Sequence, residues 1–481
     1  MVFSSLFFLY AFLPVFLALY YATPTRWRNV TALLGSLVFY AWGEPVFIGV
    51  LVVFSLFIYG LGLWLDRLRQ RQLASARWVL TLGVAANLAL LGYCKYANFF
   101  VTELNGVLGW LHHGSLAWTK IALPLGVSFF IFQKISYLVD IYRGEARPAR
   151  HLIDFLLYVM LFPQLIAGPI VRYRDIDQQI RHREHTVDRF LSGVWRFLLG
   201  LGRKVLIANQ LGAVADTVFA QQFDTLPLPY AWVGILCYAF QIYFDFAGYS
   251  DMAIGLARMM GFEFIENFEH PYTSRSITEF WRRWHRSLSS FMRDYLYIPL
   301  GGNRVAPWRA RLNLWFVFLA SGFWHGASWS FVAWGAYHGT WLSLEKILGL
   351  KRLGRIPAVL GVALTFLLVL VGWVFFRADN LAHALVYLGR MVAFDSWDQV
   401  YARTDLLWPD VISHRTWGAL AVAAVASFVP DTLWRHWGWE ASLAARPGGA
   451  VLRVAIGAAG LLFATAALCN QSYNPFIYFR F

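Results

Sequence analysis

His325 lies within 33 residues, Leu312 to Leu344, that contain no Asp, Glu, Lys or Arg; Arg311 and Glu345 bound the stretch. An unpaired ionisable group at membrane depth is costly, so an intramembrane histidine is by default a candidate functional residue. With an unperturbed pKa of about 6.5, imidazole can take and return a proton near neutrality. Gly322, Gly326 and Ala327 permit close backbone approach, and Ser321, Trp324 and Ser328 offer polar contacts. That setting suits a general base in a tight, water-poor pocket. The competing reading is a histidine that links helices by hydrogen bonding.

Other side chains have weaker claims. His285, 40 residues earlier in FWRRWHRSLSSFMRDYLYIPLGG, reads by itself as an interfacial histidine among arginines. His338 follows His325 by 13 residues. On one straight helix the two would point about 140° apart, so His338 reads as structural. Asp245 and Asp251 in QIYFDFAGYSD are six apart, about 240° of helical rotation, and do not form a same-face acid/base pair. Asp245 is expensive to bury and is expected to pair with an arginine. The run His182 to His185 (HREH) lies in an Arg-rich loop without further ligands and reads as a solvated charged loop, not a metal site. Cys94, Cys237 and Cys469 have no metal or redox spacing and read as small buried hydrophobes. The chain lacks a Walker loop, a GxSxG elbow and an HExxH helix, so the corresponding ATPase, hydrolase and metalloprotease readings have no support.

The elements that must position these residues follow from composition. The 481 residues are 59% hydrophobic and 14% charged, with a mean hydropathy of +0.51. Soluble domains are roughly 45–50% apolar and about 25% charged. Apolar runs at 3–21, 29–43, 46–64, 78–94, 118–139, 190–210, 229–248, 356–376, 416–430 and 450–469 are candidate spans. An all-α, polytopic transmembrane bundle of about ten spans, forming one membrane domain over 1–481, is the expectation. Residues 1–21 lack the basic start and cleavage site of a signal peptide and read as a retained first span. The net charge of +14 falls mostly in short inter-helix segments. It reflects the positive-inside rule, places the amino terminus outside the cytoplasm, and argues against nucleic-acid binding.

Two stretches break the pattern. Segment 152–170 (LIDFLLYVMLFPQLIAGPI) is interrupted by Pro163, Gly168 and Pro169, has basic flanks and reads as re-entrant. Such backbone survives at depth only when buried in protein or lining a cavity. Segment 312–344 also has basic flanks, and a hairpin bent near Gly322 to Gly326 would carry His325 inward. Between them, about 250–310, an aromatic and basic mixture suits interfacial helices.

Long ordered blocks then resemble a known family, the membrane-bound O-acyltransferases, and within it the branch that serves alginate acetylation. They are PLGVSFFIFQKISYLVDIYRG (124–144), FPQLIAGPIVRY (162–173), QIYFDFAGYSDMAIGLARMMGF (241–262), ENFEHPY (266–272), FWRRWHRSLSSFMRDYLYIPLGGNR (280–304) and SGFWHGASWSFVAWGAYHG (321–339). The ending NPFIYFRF (474–481) also looks like that branch. Glu269 and His270 before Pro271 depart from the more neutral pair expected there, without touching a proposed role.

The resemblance implies a helical bundle pierced by a funnel or tunnel, in which the histidine of WHG, here His325, is catalytic. It makes the histidine of RWHRSLS, here His285, the candidate for the second polar position. It implies an acyltransferase of the bacterial inner membrane that moves acetyl groups for O-acetylation of an exopolysaccharide such as alginate. An acetyl thioester would act as co-substrate, with no permanently bound cofactor. Periplasmic acetyl-transfer proteins, the polysaccharide acceptor and the lipid bilayer would be the partners. Transfer of D-alanine from a carrier protein to teichoic acid is the alternative inside the family. A proton-coupled transporter is the alternative outside it, opposed by the absence of broken helices in matching halves. A membrane scaffold that tolerates loss of His325 is the third.

Overall fold

The computed structural model describes residues 1–221, 226–349, 354–394, 413–429, 449–470 and 473–477. Position 430 of one candidate span and residues 478–481 of the closing motif lie outside these. Among the described residues there is no strand. The chain forms two compact units, Met1–Val194 with Ala253–Ile265, and Trp195–Met252 with Glu266–Phe481.

The first unit contains α1 (Leu13–Ala22), continued backward by a π turn at Phe8–Phe12, then α2 (Arg28–Gly43), α3 (Phe47–Gln70), α4 (Ala76–Leu91), α5 (Ala97–Trp110), α6 (Val127–Arg143), α7 (Leu152–Met160), α8 (Phe162–Leu165) and α9 (Tyr173–Arg181). A π turn at Gly92–Tyr96 joins α4 to α5, giving one helix of 35 residues. The apolar run 118–139 is helical only from Val127, where Gly126 (φ +74°) starts α6. The stretch 152–170 is broken as its prolines and glycines require: Leu161 leaves the helix between α7 and α8. The irregular backbone is buried in protein. The Phe162 N–H donates to Ser36 Oγ at 3.1 Å. The Tyr158 hydroxyl reaches the Gln133 and Val171 carbonyls, each at 3.1 Å. These partners meet the condition for non-helical backbone away from water.

Helix α10 (Val187–Gly202) leads into the second unit, followed by a π turn at Arg203–Ala208, α11 (Asn209–Phe219), α12 (Leu228–Met259), α13 (Ile277–Arg283), α14 (Arg286–Met292), α15 (Pro307–His325), α16 (Trp329–Leu348), α17 (Ala358–Arg377), α18 (Leu381–Arg390), α19 (His414–Phe428) and α20 (Gly449–Asn470). The 312–344 stretch is a helical hairpin whose turn, 326–328, directly follows His325. It closes tightly because Gly322 faces the Phe331 carbonyl and Gly335 faces the Phe318 carbonyl, where a Cβ would collide with backbone. Buried Glu345, at the end of α16, accepts from the Ile277 N–H (2.6 Å), the Thr278 N–H (2.8 Å) and the Thr278 hydroxyl (2.6 Å). It thereby satisfies orphan donors in the first turn of α13.

Among the described residues, five helices are long and apolar enough to cross a membrane, 47–70, 76–110, 228–259, 358–377 and 451–470, and Phe8–Ala22 is a shorter apolar helix. Fewer than ten runs qualify because several helices are shorter than 18 residues, as α2 is with 16 and α19 with 15. Helix α6, with 17 residues, is also short and buries Gln133, Lys134 and Asp140.

The expected Asp245–arginine pair is corrected: its partner is Lys204, at 2.9 Å. The π turn at Arg203–Ala208 holds Lys204 inward, while Arg196 and Arg203 pair with Asp251 instead. Cys469 is exposed, unlike buried Cys94 and Cys237; it lies on α20, little of which is buried. Replacing Asp245 with leucine should cost about 3–5 kcal/mol by stranding a buried ammonium. Adding Lys204→Met should recover much of that loss. Thermal unfolding in detergent checks both; a single variant as stable as the wild type would show that the pair contributes nothing.

Candidate functional site

The hairpin delivers His325 at the last position of α15, 6% exposed. Its ring is enclosed edge-to-face by Trp324 (4.8 Å between centroids), Trp334 (5.2 Å) and Phe376 (5.0 Å). Trp334 comes from α16 and Phe376 from α17, so three helices build the cage. The next residue, Gly326, opens onto a cavity of about 280 Å³ that Ala327, Ser328, Gln241, Arg377 and Ile477 help to line. Arg377 is held by Asp216 at 2.7 Å. The imidazole is thus walled in by rings, and two of its neighbours, Gly326 in sequence and Phe376 in the cage, also line the polar-rimmed cavity.

His285 is placed by a different device. It occupies the N-cap of α14 with φ +44° and ψ +55°, a left-handed conformation that costs a non-glycine residue of order 1–3 kcal/mol. The Arg286 N–H donates to the Asn267 carbonyl at 2.9 Å and secures the bend. The Asn267 Nδ2 donates to Ser250 Oγ at 3.0 Å. That bond directs Oδ1 toward the Ser287 N–H (3.2 Å), the Ser287 hydroxyl (2.9 Å) and His285 Nδ1 (3.0 Å). An acceptor oxygen there makes Nδ1 the protonated nitrogen of a neutral ring and leaves the lone pair on Nε2. Phe246 packs edge-on at 4.6 Å.

The sequence reading kept His338 apart from His325, on the geometry of one straight helix. The turn at 326–328 puts them on separate helices, and the rings join in one cluster. His285 lies 6.4 Å from Trp324, Trp324 contacts His325, His325 contacts Trp334, and Trp334 lies 5.1 Å from His338. His338 accepts at Nδ1 from the Trp281 indole N–H at 3.3 Å, a contact that suits a positioning role. Asp245 and Asp251 stay outside this cluster in their own ion pairs. Among the described residues, no group of three His, Cys, Asp or Glu converges as a metal site. Asn267, Trp334, Phe376 and Arg377 escaped the sequence reading. The local signal for Trp334 was the repetition of ring residues at helical spacing, Phe331, Trp334 and His338, along α16.

The comparisons with known proteins bear on this arrangement. Residues 145–352, which include all three histidines, match the membrane-bound O-acyltransferase family. The chain is 49% identical over 397 residues to the "Probable alginate O-acetylase" of Azotobacter vinelandii, covering 82% of this chain and 79% of that protein. It is 44% identical to the protein of the same description in Pseudomonas putida, over the full length of both. A peptidoglycan O-acetyltransferase of Helicobacter pylori is 37% identical over 82% of this chain and 80% of its own length.

Asn267→Ala should lower the thermal unfolding temperature, since each buried donor left unsatisfied costs about 1–3 kcal/mol. Asn267→Asp, which keeps the acceptor oxygen, should lose less. An alanine variant melting with the wild type would show that the network does not hold the His285 bend.

Proposed function

Because the chain belongs to the membrane-bound O-acyltransferase family, and so is a multi-pass membrane O-acyltransferase, we propose that it transfers acetyl groups for O-acetylation of an exopolysaccharide with His325 as the general base. The observation that carries this reading is a caged, buried imidazole whose next residue lines a cavity. The alginate acetylases to which the chain is similar support alginate as the polymer.

In this reading the donor is an acetyl thioester that binds as a co-substrate, and no cofactor stays bound. The His325 lone pair takes the acceptor hydroxyl proton as the oxygen attacks the thioester carbonyl carbon. A new C–O bond forms, the C–S bond breaks, and the imidazolium returns the proton to the departing thiolate. The aromatic cage favours the neutral ring and keeps out water that would hydrolyse the donor. His285, with its lone pair on Nε2, serves as the second polar group beyond Trp324. The acceptor hydroxyl belongs either to the sugar or to a periplasmic partner that completes transfer, at the outer face of the inner membrane. The two compact units act together as one acyltransferase domain, 1–481.

General-base catalysis is worth about 10²–10⁴-fold, so His325→Ala should abolish measurable O-acetylation of exported polymer at membrane levels matched to the wild type. His285→Ala should lower acetylation while leaving polymer export intact. O-acetyl content per uronate at matched protein levels is the measurement. Normal acetylation in a well-expressed His325→Ala strain would end the assignment of His325.

A further inference from the structure

In the first unit, two neighbouring cavities differ in chemistry and meet at the turn between α1 and α2, with α2 lining both. One is a basic recess of about 670 Å³, lined among others by Arg26, Asn29, Arg181, Arg183, His185 and Arg189. The other is an apolar groove of about 530 Å³ whose lining runs from Phe7 through Val15 and Leu19 to Thr23 on one side, and from Trp42 through Leu34 to Thr31 on the other. The groove ends at Thr23 and Thr31; the recess begins at Thr25 and Asn29. A charged pocket thus sits at the head of an apolar slot.

The recess carries unbalanced positive charge. Its two carboxylates are engaged: Glu263 by Arg258 at 3.1 Å and Glu184 by Arg189 at 3.6 Å. Arg181 faces Asp177 at 3.4 Å. Arg183 is fixed entirely by neutral acceptors: the Tyr20 hydroxyl (3.0 Å), Asn29 Oδ1 (2.7 Å), and the Met260 (3.1 Å) and Ile180 (3.4 Å) carbonyls. Among the described residues neither Arg183 nor Arg26 has a carboxylate within ion-pair distance. The positive-inside rule accounts for arginines on this side of the membrane. It does not account for one held in place by four neutral oxygens at the wall of a cavity. His185, whose Nε2 lies 2.9 Å from the Tyr20 hydroxyl, was read from sequence as part of a solvated loop. It is instead half-buried beside these cations. Burial, then Arg28 and Arg183, push its pKa down to about 4, so it remains a neutral hydrogen-bonding group at pH 7.

We propose that recess and groove together bind an anionic glycerophospholipid, its phosphate on Arg183 and Arg26 and one acyl chain in the slot between α1 and α2. Arginine is the side chain suited to phosphate oxygens. From Phe7 to Thr23 the groove follows roughly 24 Å of helix, enough for a chain in one leaflet about 15 Å deep. The exposed Trp27 and Tyr21 beside the recess are the residue types found at headgroup level. A free phosphate would use the recess and leave the groove unexplained.

The test is native mass spectrometry of the full-length protein in detergent, titrated separately with phosphatidylglycerol, phosphatidylcholine and inorganic phosphate. Wild type should retain phosphatidylglycerol at least about tenfold better than phosphatidylcholine, whose phosphate is offset by its own choline cation: net negative charge facing two arginines, at about 1 kcal/mol for each near a membrane surface, suffices. Arg26→Gln/Arg183→Gln, which removes both arginines assigned to the phosphate, should lose most of that preference, and Arg26→Gln alone, at an exposed position, should lose about half of it in free energy. Leu34→Trp, which narrows the slot without altering charge, should lower retention of both lipids. Equal retention of the two lipids by wild type, or undiminished phosphatidylglycerol preference in the arginine variant, would overturn the proposal. Competition by millimolar inorganic phosphate as strong as that by the lipid would assign the recess to a soluble phosphate and overturn the lipid.

Discussion

A buried ion must be neutralised inside the protein, and the second unit meets that constraint through Lys204 and Asp245. The pair does more than cancel charge. Lys204 also donates to Asn209 Oδ1 at 2.7 Å and to the Pro475 carbonyl, and Asp245 Oδ2 accepts the Ile477 N–H at 2.8 Å. Two elements of the bundle, a π turn and α12, thereby anchor the 473–477 segment. Tyr473 adds a contact to Asp216 at 2.6 Å, and Asp216 in turn holds Arg377. Ile477 and Arg377 both line the cavity beside Gly326. The wall of the candidate site therefore depends on an ion pair that belongs to no catalytic step.

The second dependence is on aromatic packing. Rings bridge the three histidines, and edge-to-face pairs of this kind contribute about 0.5–1.5 kcal/mol beyond the area they bury. Their larger effect is geometric. With Trp334 and Phe376 closing on it from different helices, the His325 ring has few alternative rotamers, and water is displaced by carbon. His285 is oriented by hydrogen bonds to Asn267 instead. One imidazole is defined by shape and the other by a polar network, a division that suits groups with different tasks in one reaction.

Legibility from sequence followed the range of the forces involved. The hairpin at 312–344 was readable because charge depletion and glycine placement are local signals, and the turn falls directly after His325, at the edge of the expected bend. The break within 152–170 was readable for the same reason. The partner of Asp245 was misread: arginines crowd this part of the chain, yet the π turn at 203–208 rotates Lys204 toward the core. That His338 and His325 both pack on Trp334 was not legible, because a helical-wheel argument holds only within one helix and the turn at 326–328 separates them. Asn267 carried no local signal, since a single asparagine before EHPY has many ordinary uses.

By itself, then, the sequence determined that the chain is a helical membrane protein, which stretches are broken, and that His325 is the ionisable group hardest to explain as mere structure. Hydropathy, periodicity and charge depletion act over a turn or two of helix and leave a direct trace in residue order. Tertiary structure alone decided what surrounds that histidine: Phe376 from 51 residues away in sequence, Asn267 against His285, and Ile477 at the cavity wall. It also decided that Arg26, Arg181, Arg183 and Arg189 line one recess at the head of an apolar groove. Such pairings are chosen by packing between elements distant in the chain, where shape and charge are settled only once the helices meet.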